Sequence, residues 1–188
     1  MCSSDLTLLR EAYEATQAGY DGDVSVPMLW DRHRSCIVCN DPIAIGIDLA
    51  TAFRTRAADL YPSRLATDIE LAGDSVTAQI EHPATRAVYD RSAAHTVRAA
   101  LRQLDARLAT RHRLLGHQLT DADVRVWVVL VRLDAGPNAH GAIGPRLDSY
   151  RHLWRWAREL YDIPAFRTTT RFDTFAAPLA DLPPWRPV

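Results

Sequence analysis

Apolar residues recur at Leu8, Leu9, Ala12, Ala15 and Ala18, the spacing of one helix face, and Gly19 closes the run. A turn-rich stretch to Asp23 separates it from Val24-Ser25-Val26-Pro27-Met28-Leu29-Trp30, which is dense in strand formers. Polar 31–35 and apolar Cys36-Ile37-Val38-Cys39 complete a predicted hairpin of two short strands. Asn40 or Asp41 is placed to cap a further helix, with Pro42 at its first position, where a missing N–H costs nothing; this helix is expected to run to about Phe53. The order is helix, strand, strand, helix.

From about Leu65 the strand signals stop, and 54–64, with Tyr61-Pro62, reads as the linker. Helical periodicity then predicts helices over 66–81, from 84 or 92 to 111, over 121–135 and 147–161, and a short one after Pro164. The β-branched run 124–131 would pass for a buried strand on content alone. Thr120 with Asp123 three residues on, and Leu119 with Val124, supply a capping-box and staple pattern that decides for a helix. A helix apolar on nearly all sides is expected to be surrounded by the others. Trp154 and Trp156 straddle the helix at 147–161, and Trp154 at least is expected in the core. The tail from Asp181, with three prolines around Trp185, is expected to be an extended strap or loose end.

The chain has 188 residues, 47% of them hydrophobic, enough for a real core in one compact domain or two small ones. All 22 basic residues are arginine, against 23 acids, so the net charge of -1 gives no general pull on nucleic acid or anionic lipid. An arginine-only base set reads as codon bias. No apolar run approaches the ~20 residues of a spanning helix, and the first ten residues lack the pattern of a secretory signal, so a cytoplasmic protein with no membrane partner is expected. Three cysteines, Cys2, Cys36 and Cys39, are an odd number and too few for a disulfide scaffold; reduced thiols are expected.

Certain phrases carry a resemblance: Val24-Ser25-Val26-Pro27-Met28-Leu29-Trp30-Asp31, Ile37-Val38-Cys39-Asn40-Asp41, Leu60-Tyr61-Pro62, the run 114–125 beginning Leu-Leu-Gly-His, Leu130-Val131-Arg132-Leu133-Asp134, Leu153-Trp154, and Arg158 to Pro164. In this order they resemble the glutathione S-transferase superfamily and, within it, the Xi class, the glutathionyl-hydroquinone reductases. The resemblance implies an α+β chain, mostly α: a thioredoxin-like domain, incomplete here, followed by an all-α glutathione-transferase C-terminal domain. The expected division is a partial thioredoxin-like domain at 7–54, a linker at 55–65, the helical domain at 66–175 and a tail at 176–188. Residues 1–6, Met-Cys-Ser-Ser-Asp-Leu, resemble the translation of a sequencing-library adapter, so a non-native leader and an N-terminal truncation are expected.

In the family a cysteine at a helix N-terminus attacks the sulfur of a glutathionylated hydroquinone and is released by a second thiol. The sequence as given has no residue for that role, and the chain is expected to be inactive in the reaction. Cys36 and Cys39 do not replace it: three positions apart on a strand they point to opposite faces, neither begins a helix, and zinc would need further ligands. No metal is expected. The cosubstrate implied is glutathione or another low-molecular-weight thiol.

For the thiol-binding positions, Pro27 matches the family's cis-proline, before which Val26 would pair through its backbone with the cysteinyl part of the ligand. An edge-strand proline is the plainer reading; the flanking strand and tryptophan favour the cis form. Asp41 and Pro42 stand where the family has Glu-Ser. Asp41 keeps a carboxylate for an ammonium, whereas Pro42 supplies neither hydroxyl nor N–H for a carboxylate. Tyr89 matches a family tyrosine that faces the quinone, the catalytic candidate here, set against a tyrosine merely packed on an amphipathic helix. The loop 136–141 replaces an aromatic- and histidine-rich segment, and His140 reads as a solvated loop residue.

His112 and His117, five apart across a glycine, do not share a helix face as a metal pair. Arg98, Arg102, Arg107, Arg111 and Arg113 form a basic run interrupted by Asp105, expected to be a solvated face and not a nucleic-acid site. Two functions remain: an enzyme lineage that in complete form reduces S-conjugated quinones or transfers a thiol to an aromatic electrophile, and a non-catalytic transferase-like protein whose helical domain binds an aromatic ligand or forms a homodimer.

Overall fold

The computed structural model describes residues 8–53 and 59–178 together with Leu182 and Trp185. The expected leader at 1–6, residues 55–58 of the expected linker and most of the tail lie outside them. The chain divides into two compact units, Met1–Asp59 and Leu60–Val188.

In the first unit α1 (Leu9–Thr16) precedes the antiparallel strands β1 (Leu29–Asp31) and β2 (Cys36–Cys39), and α2 spans Pro42–Thr51. The register pairs Leu29 with Cys39, Trp30 with Ile37 and Asp31 with Cys36. Asp31 Oδ1 closes the turn by accepting the N–H groups of His33 and Arg34 at 2.8 and 3.0 Å. Thr16 fastens helix to sheet: its Oγ1 accepts the Ile37 N–H at 2.8 Å and donates to the Ala12 carbonyl. The run of strand formers from Val24 predicts a longer first strand, but pairing begins only at Leu29. Pro27 has no N–H to give a ladder, and β1 has β2 as its one partner among the described residues.

The second unit is helical. The first predicted helix there is α3 (Ala66–Val76), followed by a wide π turn, Thr77–Glu81, and the short α4, His82–Ala84. Pro83 explains the wide turn, since it cannot donate to the carbonyl four residues back. α5 runs Arg91–Leu108, its start fixed by Asp90, whose Oδ1 accepts the N–H groups of Ser92 and Ala93. α6 spans Asp121–Ala135, with the Thr120 N–H and hydroxyl both donating to Asp123 Oδ2. α7 (Arg151–Tyr161) and α8 (Pro164–Thr169) complete the unit.

The predicted helix at 147–161 is broken at Tyr150, whose backbone is extended. The break lets Asp105 on α5 cap α7: its Oδ1 accepts the His152 and Leu153 N–H groups at 2.7 and 2.8 Å. Leu153, Trp156, Ala157 and Leu160 repeat at helical spacing and are completely buried; each large apolar side chain so buried contributes about 1.5–3 kcal/mol.

Three expectations need correction. Trp156, not Trp154, is the core tryptophan; Trp154 is half-buried and packs on Trp185, ring centres 4.7 Å apart. The arginine run is not simply a solvated face: Arg98 donates to the Ile143 carbonyl at 2.7 Å, Arg107 to the Leu114 carbonyl at 2.9 Å, and Arg113 pairs with Glu159 at 2.8 Å. Each ties a loop or neighbouring helix to α5 or its exit. Finally, α6 is not enclosed on every side. Val124, Val128 and Arg132, four residues apart, form a ridge left partly or fully open to solvent.

Candidate functional site

The hairpin register decides which residues of the first unit can act together. Leu29 pairs with Cys39, so the residues just before β1 and just after β2 lie at the same end of the hairpin, opposite its turn. Val26-Pro27 and Asp41-Pro42 therefore share that end. Tyr13 bridges the two segments: its hydroxyl donates to the Ser25 carbonyl at 2.8 Å and accepts from Asn40 Nδ2 at 3.5 Å. Sequence reading gave Tyr13 no role, because a buried hydroxyl at helical spacing looks like ordinary core.

The Val26–Pro27 peptide bond is cis. Val26 is 72% exposed, and its backbone N–H and C=O form no hydrogen bond among the described residues. Asp41 is the N-cap of α2, with Oδ1 accepting the Ala44 N–H at 2.7 Å. That bond uses one carboxylate oxygen at a helix N-terminus whose first residue is Pro42, and leaves Oδ2 without a hydrogen bond among the described residues. Cys36 and Cys39 are both free thiols on β2. Among the described residues no three His, Cys, Asp or Glu side chains gather as a metal site.

In the helical unit the open ridge of α6 forms the wall of two adjacent clefts. One, of about 340 Å³, is lined by Glu81, Ala84, Thr85, Val128, Val129, Arg132, Leu133, Gly136, Pro137 and Phe175. Its neighbour, of about 460 Å³, shares Val128, Arg132 and Phe175 and adds Trp127 and Phe166 among others. The smaller cleft brings two sequence-predicted regions together. Thr85 on its rim accepts the Tyr89 hydroxyl through its carbonyl at 3.2 Å, and Gly136-Pro137 begin the loop that carries His140. Tyr89 is not packed on an amphipathic helix: it sits in the turn between α4 and α5, 81% exposed. His140 is exposed.

Gly136 sets the shape of this cleft. It caps α6 by donating its N–H to the Arg132 carbonyl at 2.9 Å, and a Cβ there would lie 2.7 Å from that same oxygen. Sequence reading quoted Arg132 within a family phrase but assigned it no role. The four-residue spacing from Val128 was the available signal; that this face would stay open was not in the pattern.

The glutathione S-transferase C-terminal domain family matches residues 86–159. The glutathionyl-hydroquinone reductase YqjG of Escherichia coli (strain K12) is 31% identical over 176 residues, which cover 88% of this chain and 53% of that protein. Its glutathione-bound structure superimposes with a TM-score of 0.80 at 29% identity, over 89% of this chain and 58% of the other. The Xi glutathione S-transferase of Phanerochaete chrysosporium gives a TM-score of 0.77 at 30% identity, over the same shares of the two chains. The chain spans about half the length of the curated relatives it matches.

Proposed function

Because the chain belongs to the glutathione S-transferase superfamily, with a glutathionyl-hydroquinone reductase among its relatives, we propose that it serves the thiol-dependent reduction of S-conjugated quinones. In that reaction a thiolate attacks the conjugate's sulfur. The carbon–sulfur bond breaks with its electron pair going to the ring, which takes up a proton, and a second thiol resolves the mixed disulfide. The first unit would hold the thiol: Val26 pairs through its free backbone with the cysteinyl part, and Asp41 Oδ2 receives an ammonium. The cleft beside Thr85 and Arg132 would take the aromatic part, with the Tyr89 hydroxyl at its rim.

The meeting of Val26-Pro27 and the Asp41 cap at one end of the hairpin carries this reading. Pro42 leaves the γ-glutamyl carboxylate without a donor at that position, so the thiol is glutathione held more weakly than in a Glu-Ser site, or a smaller low-molecular-weight thiol. A cytoplasmic setting belongs to the same proposal, since thiol pools there keep Cys36 and Cys39 reduced; no helix among the described residues is long and apolar enough to cross a membrane. The helical unit is the expected seat of a homodimer, which sedimentation velocity tests; a single monomeric species would remove that part.

Thermal shift with reduced glutathione, other small thiols and S-glutathionyl menadione tests the central proposal. A ligand at a hundredfold over its Kd stabilises by about 2.7 kcal/mol. Stabilisation by a thiol that weakens in Asp41→Ala is the expected result. A cooperative melt unmoved by every thiol and by the conjugate would favour a non-catalytic interaction protein instead.

A further inference from the structure

Among the described residues, Arg132 is a cation with no ion-paired anion. It lines both clefts of the helical unit, and its guanidinium carbon lies 5.8 Å from the centre of the Phe175 ring. Among the described residues its guanidinium makes no hydrogen bond or ion pair. Its neighbours contrast with it. Arg171, which lines the larger cleft, is paired with Asp173 at 2.9 Å. Asp134, two residues on along α6, is buried against Arg146 at 3.0 Å and faces away from the ridge. Glu81, which also lines the smaller cleft, accepts the Thr77 hydroxyl at 3.3 Å.

The rest of the smaller cleft is largely apolar, with Ala84, Val128, Leu133 and Pro137 on its walls and an aromatic face at Phe175. An aromatic ring placed there meets apolar surface on its sides and the planar donor fork of Arg132 at its edge. A neutral ring satisfies only the first of these. An anionic oxygen on the ring satisfies both, through a charge-assisted hydrogen bond to the guanidinium.

We infer that Arg132 is the specificity-determining residue of the aromatic cleft and selects ligands that carry an anionic ring oxygen, as a phenolate does. This rests on the cleft being the aromatic subsite proposed above. Phe175 lies against the guanidinium on one side, and Arg132, exposed on the α6 ridge, is within reach of a ligand in either cleft.

The test is calorimetric titration of the full chain with 4-nitrophenolate and with 4-nitroanisole, which has the same ring and no charge. The phenolate is expected to bind about tenfold more tightly, the lower end of what a charge-assisted hydrogen bond contributes. Arg132→Gln is expected to bring the two ligands to equal affinity, and Arg132→Lys to restore part of the preference; far-UV circular dichroism confirms that each variant is folded. A wild-type chain that binds both probes equally, or an Arg132→Gln chain that keeps the preference, overturns the role of Arg132 while leaving the cleft as an aromatic site. Binding of neither probe overturns the aromatic subsite itself and the inference with it.

Discussion

The indole N–H of Trp156 on α7 donates to Asp123 Oδ1 on α6 across 2.9 Å, with both side chains completely buried. The same carboxylate accepts the Leu114 N–H at 3.0 Å and both the N–H and hydroxyl of Thr120. One side chain thus caps its own helix, fixes the loop that enters it and locks a second helix against it. Four donors converge on two oxygens, leaving little for a neutral amide to reproduce.

Asp123→Ala is therefore expected to cost about 3–5 kcal/mol, because it leaves buried donors on three segments without acceptors. Asp123→Asn should cost less but still more than about 1 kcal/mol, since its NH2 must face at least one donor. Trp156→Phe removes one donor and some volume and should be milder than Asp123→Ala. Urea denaturation of the three variants checks the order; an Asp123→Ala chain as stable as the parent would contradict the network.

Tyr61 offers a pH signature. Burial and the Glu70 carboxylate, which accepts its hydroxyl at 2.7 Å, push its pKa from 10.0 up to about 12. Between these values the folded chain keeps a proton that the unfolded chain has lost. The stability Tyr61 contributes is thus full below the unfolded pKa and disappears as pH rises through the folded one. Ultraviolet titration should show a tyrosine ionising late, and Glu70→Gln should move it back toward the ordinary value without reaching it, since burial is the larger cause. A full set of tyrosines titrating together near 10 would rule this out.

At Gly136 the added methyl of Gly136→Ala meets the backbone oxygen of Arg132 at 2.7 Å, and no flexible side chain can yield. Overpacking of this kind costs about 1–3 kcal/mol. The strain falls at the end of α6 that forms the cleft wall, so weaker binding of an aromatic probe should accompany the loss of stability. Unchanged urea midpoint and probe affinity would show that the turn has room to relax.

The first unit exposes Val26, Val38, Ile43, Leu49 and Phe53 by half or more, while Ala12, Tyr13 and Ile45 make up the buried apolar set among its described residues. β1 also has one strand partner among the described residues. Such a surface with an open sheet edge should drive concentration-dependent association and bind hydrophobic dye. Light scattering across a dilution series reads this directly, and Val38→Thr with Phe53→Ser should reduce it. A parent chain that stays monodisperse at high concentration would contradict the expectation.

Local chemistry in the sequence was enough to determine the elements with strong punctuation. Thr120 and Asp123 fix where α6 starts, Asp41 and Pro42 where α2 starts, and Cys36 to Cys39 form a strand, because caps, proline and β-branched runs act through neighbours a few residues away. The resemblance phrases carried the superfamily and the class for the same reason: they are contiguous. What the sequence did not hold was which face of an element another element would cover. Trp154 and Trp156 look alike in a helical pattern, and only the packing of α7 on α6 puts Trp156 inside against Asp123. The arginines from Arg98 to Arg113 read as a solvated row, yet several reach carbonyls or acids on segments up to 46 residues away. The open ridge of Val128 and Arg132 is likewise a tertiary outcome, since a stripe stays exposed only where no neighbour arrives. Short-range hydrogen bonding and sterics wrote the helices and the hairpin into the chain; long-range burial, which depends on every other element at once, decided where its charges and clefts would lie.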